Sequence, residues 1–269
     1  MEREALLRKA VGPLLRWYDK NARDLPWRRT RDPYRVWVSE IMLQQTRVEA
    51  AIPYYERFLE SFPTLQALAD APEERLLKLW EGLGYYSRAR NLQKAARQAL
   101  ERYGALPGTA SELASLAGIG PYTAGAVASI AFGEAVPAVD GNVLRVLARF
   151  TDDSRDTASP AARREAERAL APVIPRDAAG RFNQALMELG AVVCLPGAPH
   201  GAVDGADPHG RRGPRGDRAA AAPRPAGGAV AVPASAGPCR RAGGGGPAAR
   251  ARPARPGQAG TARAGAPRV

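Results

Sequence analysis

Apolar residues recur at helical spacing from the start of the chain to about Cys194, and no stretch of strict alternation competes with them. The opening MEREALLRKAVGPLLRW interleaves charge with Leu and Val at intervals of three and four, which predicts an amphipathic helix. Asp32-Pro33 reads as an N-cap followed by the proline favoured in a first turn, opening YRVWVSEIMLQQ. Pro72-Glu73-Glu74 opens a helix through Leu76, Leu79 and Trp80 that stops at Gly82 and Gly84. Thr109 and Glu112 form a capping box for a short helix ending at Gly118. Pro121 starts a helix running through AGAVASIAF to Gly133, and Asp140 caps GNVLRVLARF. Ser159-Pro160 opens AARREAERALAPVI, and Asp177 opens a last helix reaching Val193. The pattern predicts an all-α fold without internal repeats.

The pattern collapses near Leu195. From Gly197 onward, sixty of seventy-three residues are Ala, Gly, Pro or Arg, and Leu, Ile, Phe, Tyr, Trp and Met are all missing. Such a segment buries too little apolar surface to offset its ordering entropy, so residues 196–269 are expected to be a disordered tail. The same boundary reshapes the reading of charge. A net charge of +12 points to a polyanionic partner, but twelve arginines against three aspartates put nine of those charges after Pro196. No apolar run reaches membrane-spanning length, and the N-terminus lacks a signal-peptide pattern, so a cytoplasmic protein is expected. Two cysteines, Cys194 and Cys239, make no disulfide framework.

Five local patterns carry candidate chemistry. In LAGIGPYTAGAVASIAFG, the glycines Gly118 and Gly120 join two helices tightly, and the helix after Pro121 offers free N–H groups to a phosphate around Tyr122 and Thr123. A plain hairpin whose glycines only permit close packing is the competing reading, and the tightly constrained L-x-G-I-G-P favours DNA. Asp140-Gly141-Asn142 places a carboxylate shortly after that hairpin, able to stabilise a cationic sugar, although an N-cap role alone accounts for an Asp there. Glu40 interrupts the apolar VSEIMLQQT; a carboxyl against apolar walls keeps its proton near neutral pH, whereas a lone Glu on an amphipathic helix is more often simply solvated. GLGYYSRAR joins glycines, aromatics and arginines, which suits stacking in an opened duplex or merely marks a helix junction. Trp27, beside Pro26 and Arg28, suits either the wall of a base pocket or the core.

Taken together and in order, WYDKNARDLPWR, VSEIMLQQT, GLGYYSRARNL, GIGPYTAGA, VDGNVLRVLAR and FNQALMELGAVVC resemble the successive motifs of the MutY family of adenine DNA glycosylases, within the helix-hairpin-helix superfamily. The resemblance covers Leu15 to Cys194. It implies two helical subdomains, one spanning about 28–135 and the other built from the N- and C-terminal helices, with an active-site cleft between them in a catalytic domain of residues 1–195. It implies a monomeric enzyme of bacterial, nucleoid-associated type. The enzyme would excise adenine opposite 8-oxoguanine or guanine in double-stranded DNA by hydrolysing the N-glycosidic bond after base flipping.

By the same resemblance Glu40 is the general acid, Asp140 stabilises the sugar cation, and Tyr122 and Asn142 support the two acids. Trp27, Arg28 and Gln184 line the adenine pocket. Gln45 and Tyr85 enter the duplex at the lesion, with Thr46 and Leu83 beside them, and Gly118, Gly120, Tyr122 and Thr123 meet the DNA backbone. Bifunctional relatives like endonuclease III carry a nucleophilic lysine where this chain has Tyr122, and a phenol forms no Schiff base, so a monofunctional glycosylase is expected. The alternatives are a bifunctional pyrimidine-lesion glycosylase and lyase, or a catalytically impaired DNA-binding remnant.

The chain departs from the family in one place. A 4Fe–4S cluster is expected from C-x6-C-x2-C-x5-C, and Cys194 supplies the first ligand. Gly201, Asp204 and Gly210 stand at the other three positions, so the cluster is not expected to bind. His200, His209 and Cys239 fit no metal-site spacing. The C-terminal domain resembling nucleotide pyrophosphohydrolases has no counterpart in residues 196–269 either. Both losses begin where the composition changes, and GC-rich codons read out of frame yield mainly Ala, Gly, Pro and Arg. A frameshift or sequencing error close to Pro196 is therefore expected. Translating the other two frames of the gene checks this: one of them contains a C-x2-C motif just downstream, and its absence from both marks the tail as genuine.

Overall fold

The N-cap pairs set the frame of the fold. In the computed structural model, which describes residues 2–197, the Asp32 side chain accepts hydrogen bonds from the N–H groups of Tyr34 and Arg35, and Pro33 occupies the first turn of its helix. Ser159 and Asp140 cap their helices in the same way, accepting from Ala162 and Val143. The Ala/Gly/Pro/Arg-rich tail from residue 198, with His200, His209 and Cys239, lies outside the described residues.

Eleven α-helices and one 3-10 turn, Pro26–Arg28, form the described part, with no strand among the described residues. The helices are α1 Glu2–Asn21, α2 Pro33–Leu43, α3 Val48–Ser61, α4 Leu65–Ala69, α5 Glu73–Trp80 and α6 Ser87–Tyr103, followed by α7 Ala110–Leu113, α8 Pro121–Ala131, α9 Gly141–Phe150, α10 Pro160–Leu170 and α11 Ala179–Val192. No helix of the described residues is long and apolar enough to cross a membrane.

Some boundaries differ from the sequence pattern. Helix α2 ends at Leu43 rather than running through the glutamines, because Gln45 adopts φ of +60° in the following turn. The capping box at α7 is altered: Thr109 accepts from the Glu112 N–H, but the Glu112 carboxylate takes the Thr109 hydroxyl (2.6 Å). That helix closes at Leu113, and Gly118 lies beyond it in the hairpin turn, at φ of +72°. Helix α11 begins at Ala179 without a side-chain cap, so Asp177 lies outside it.

Two hydrophobic clusters divide the helices. The larger is built from the 3-10 turn and α2 to α8, around Trp37, Phe58, Phe62, Leu76 and Trp80. The smaller joins α1 with α9, α10 and α11, around Val143, Leu147, Leu170 and Phe182. Helix α11 packs on α1, α8 and α9 and so bridges the two, while α2 packs on α8. The bridge depends on glycine. A Cβ on Gly190 of α11 would meet Cβ of Asn142 at 2.5 Å and its Cα at 3.0 Å, at the start of α9. Gly190→Val is expected to lower stability by about 1–3 kcal/mol through this overlap. Urea unfolding compared with the wild type measures the loss, and an unchanged midpoint would show that α9 and α11 separate freely.

Candidate active site

Helix α2 is buried on nearly every side: Tyr34 and Val36 through Met42 are all removed from solvent. A helix in that position leaves its one carboxylate, Glu40, little access to water except through the cavity it lines, and its residue is 7% exposed. The Glu40 carboxylate accepts a hydrogen bond from the Tyr122 hydroxyl of α8 at 2.8 Å. The same hydroxyl lies 3.6 Å from Sδ of Met187 on α11. Burial pushes the Glu40 carboxyl up to about 7, with the nearby Asp140 adding to the rise; the Tyr122 bond and the charge of Arg28 oppose it. Burial, reinforced by Glu40 and Asp140, holds the Tyr122 phenol well above its ordinary value.

Across the cavity, half-buried Asp140 precedes α9. Its Oδ1 accepts the Val143 N–H (2.8 Å) and its Oδ2 the Asn142 side-chain amide (2.9 Å). An anion at a helix N-terminus is favoured by the helix dipole as well as by these bonds. The N-cap role and a position at the cavity wall therefore hold together. Asn142 in turn accepts from Arg145 at 2.8 Å, which fixes its amide orientation.

Glu40, Tyr122, Asp140 and Asn142 line one cavity of about 280 Å³, together with Trp27, Arg28, Thr46 and Gln184. Trp27 is both wall and core, buried and stacked edge-on against Tyr55. Gln184 accepts from the Tyr18 hydroxyl at 2.5 Å. Two further wall residues are Arg23, four residues before Trp27, and Glu188, which carried no local signal as a site residue in the sequence; they meet across 165 positions of chain.

The remaining candidates stand outside this cavity. Gln45 and Tyr85 sit at the tips of two turns, exposed, with φ of +60° and +46°. Such conformations are costly for residues with a Cβ and hold only where the surroundings impose them. Arg88 does so here, donating to the carbonyls of Ile41, Met42 and Gln44 before one tip and of Leu83 and Gly84 before the other. Sequence patterning gave Arg88 no such role. Leu83 is buried in the larger core rather than presented beside Tyr85. In the hairpin, Gly118 packs its backbone against Asn91, and Gly120 precedes the first turn of α8, whose N–H groups lack intrahelical partners. The Thr123 hydroxyl is buried and accepts from Gln44 (3.4 Å), which leaves its N–H as the group available at the helix end.

Comparison with known proteins bears on the family and the fold. Residues 38–172 match the family described as HhH-GPD superfamily base excision DNA repair protein. The chain is 50% identical over 202 residues to the human adenine DNA glycosylase, covering 70% of this chain and 36% of that protein. It is 41% identical over 184 residues to the adenine DNA glycosylase of Buchnera aphidicola from Acyrthosiphon pisum, covering 68% and 53% respectively. The chain thus spans about a third to a half of the length of these relatives. Among solved structures, a thermostable thymine-DNA glycosylase superimposes with a TM-score of 0.63 at 28% identity, over 72% of this chain and 90% of that one. A trapped endonuclease III–DNA covalent intermediate gives 0.62 at 23% identity, over 73% and 90%, a likeness of fold.

The position of Glu40 has a measurable consequence for stability. Its folded value of about 7 lies above the ordinary 4.5, so the stability it contributes is fully present below pH 4.5 and is lost as pH rises through 7. Glu40→Gln removes this dependence. Relative to wild type, the variant is expected to gain on the order of 2–3 kcal/mol between pH 4.5 and 8. Urea unfolding at both pH values reads the gain, and a difference that stays constant with pH would place the carboxyl in contact with water.

Proposed function

The chain belongs to the HhH-GPD superfamily of base excision DNA repair proteins and groups there with the adenine DNA glycosylases, and we propose that it hydrolyses the N-glycosidic bond of adenine opposite 8-oxoguanine or guanine in duplex DNA. The observation that carries this reading is the pair of unlike carboxyls in one cavity. Glu40 is buried and holds its proton to about pH 7, whereas Asp140 is bonded to N–H donors at the start of a helix.

Adenine is a poor leaving group, and protonating its ring weakens the bond to the sugar. The flipped base enters the cavity, and the Glu40 carboxyl gives its proton to a ring nitrogen as the C–N bond breaks and its electron pair leaves with adenine. The deoxyribose left behind is cationic, and Asp140, already fixed by Asn142 and the Val143 N–H, stabilises it without reorganising. The ionised Glu40 then takes a proton from the water that adds to the sugar, which restores the acid. Tyr122 holds the Glu40 carboxylate between the two steps. Trp27, Arg28 and Gln184 face the base, Gln45 and Tyr85 fill the gap it leaves in the stack, with Thr46 beside them, and the N-terminal turn of α8 seats a phosphate.

A phenol at Tyr122 offers no amine for a Schiff base, which favours a monofunctional enzyme over a glycosylase that also cleaves the strand. We further propose that the chain as written holds no 4Fe–4S cluster. Such clusters take thiolates, and the residues present do not fit one. The Cys194 sulfur lies 3.2 Å from Nη1 of Arg149, and no group of three metal-ligating side chains occurs among the described residues.

Purified protein is expected to release adenine from a duplex carrying A opposite 8-oxoguanine, with the rate falling as pH rises through about 7. Glu40→Gln should abolish release, a loss of at least about 100-fold, while duplex binding persists. Binding without release by the wild type would instead favour the impaired remnant. Borohydride trapping on abasic product should give no covalent adduct; a strong adduct would identify a lyase. Iron analysis of the same preparation should find none above buffer, and a full complement would overturn the reading of the cluster.

A further inference from the structure

The most deeply buried ionised group in the described residues has no part in the mechanism above. Glu188 of α11 is fully buried, yet its carboxylate accepts four hydrogen bonds. Arg23 donates from its backbone N–H (3.0 Å), from Nε (2.8 Å) and from Nη2 (2.8 Å), and Arg28 donates from Nη2 (2.7 Å). Burial acts to raise the carboxyl, but these bonds and the charge of Arg28 outweigh it and hold Glu188 down to about 2. Arg28 is held at other points as well: its Nη1 donates to the Arg23 carbonyl (3.0 Å), and its guanidinium lies 5.6 Å over the Tyr18 ring. Each of Arg23, Arg28 and Glu188 lines the cavity that contains Glu40.

We propose that Glu188 is a positioning residue for the acid site: its buried ion pair fixes Arg28 at the cavity wall and offsets the positive charge that Arg28 turns toward Glu40. The inference rests on the adenine glycosylase reading and adds to it a residue that touches neither base nor sugar.

The charge balance around Glu40 explains why such an offset matters. Glu40 is bonded from α8 by Tyr122, and the cavity it lines is completed by Asp140 before α9, Arg28 of the 3-10 turn, Gln184, Met187 and Glu188 of α11, and Arg23 and Arg47. Arg28 favours the ionised carboxylate, which is the wrong form for the first step. An unpaired guanidinium on the same cavity wall would draw the proton away more strongly. Paired to Glu188, it keeps its N–H donors in place for the base edge while its field is largely cancelled. Arg23 completes the pairing, so the wall carries two cations and one anion rather than two bare cations.

The test uses opposite signs. Single-turnover excision is measured against pH for the wild type, Glu188→Gln, Glu188→Asp and Arg28→Met. In Glu188→Gln the fall in rate on the alkaline side should move down by about one pH unit, making excision about tenfold slower at pH 8 once scaled to pH 5.5. In Arg28→Met it should move up, and Glu188→Asp, which keeps the charge, should restore the wild-type position. A purely structural Glu188 would lower the melting temperature and the active fraction and leave the profile in place, and that result overturns the proposal. If Glu188→Gln fails to fold, Arg28→Met decides it: an upward move supports the proposal and an unmoved profile overturns it. If the wild type releases no adenine, the glycosylase reading fails by itself. The inference is then read without substrate, from the pH at which stability diverges between each background and its Glu40→Gln derivative: a lower pH for Glu188→Gln supports it and an unchanged pH overturns it.

Discussion

The carboxyl of Glu40 is buried at the seam between two hydrophobic cores, and the surrounding architecture is arranged around that burial. A helix packed on all sides cannot solvate an acid, so α2 either keeps the group neutral or finds it a cation. The structure takes the first course. Its direct partner is a phenol, Tyr122, and the Arg28 guanidinium lining the same cavity is paired to another carboxylate, Glu188. This requires four elements, α2, α8, α9 and α11, to meet without slack. They meet through close backbone approaches: Gly125 lies against the Pro137 carbonyl, Gly180 against Ser129 and Ile130, and Gly190 against Asn142. Each is a place where a side chain would open the seam and admit water to the acid.

Two buried glutamates in this site differ in protonation near neutral pH: Glu188 is ionised, while Glu40 still keeps much of its proton. Glu40 is pushed to about 7 and Glu188 held at about 2, although both are removed from solvent. The difference lies in donors rather than depth. Glu188 receives two guanidinium groups and a backbone N–H, and Glu40 receives a single neutral hydroxyl. An environment that drives two carboxyls apart in this way supplies a proton donor and a fixed anion from the same residue type. The arrangement is also costly, because neither group contributes what an apolar residue of the same volume would at its position.

Much of the fold was legible in the sequence because helix ends are local events. Asp32-Pro33, Ser159-Pro160 and Asp140 cap where the chain indicated, each through a side chain reaching two or three residues ahead. The boundaries that moved did so for tertiary reasons. Helix α2 stops at Leu43 because Arg88, more than forty residues away, draws its terminal carbonyls. Motif order located Glu40, Tyr122, Asp140 and Asn142, which the fold gathers into one cavity. It placed Arg88 and Arg23 inside candidate patterns without indicating their contacts, and it gave no hint of Glu188 as a site residue. Arg88 reads as the start of a charged helix and Glu188 as one more residue of FNQALMELGAVVC. Their partners lie far away in sequence, and no spacing rule connects them.

The distribution of charge separates reading from gripping. Most of the chain's excess positive charge lies beyond residue 196, away from the motifs. Among the described residues, the candidate contacts the motifs offer a duplex are instead a helix end and two strained turns. The first turn of α8 presents N–H groups with the positive end of a helix dipole, a donor set that neutralises a phosphate without any lysine. The turns at Gln45 and Tyr85 hold exposed side chains in conformations worth roughly 1–3 kcal/mol of strain each. A single buried guanidinium, Arg88, binds carbonyls of both turns and sets the two tips at a fixed separation. On the proposed function a wedge at these tips would need that rigidity, since a side chain that relaxed sideways would let a flipped base return to the stack. On the proposed function, recognition would therefore rest on preorganised geometry, with long-range electrostatics serving to bring the partners together.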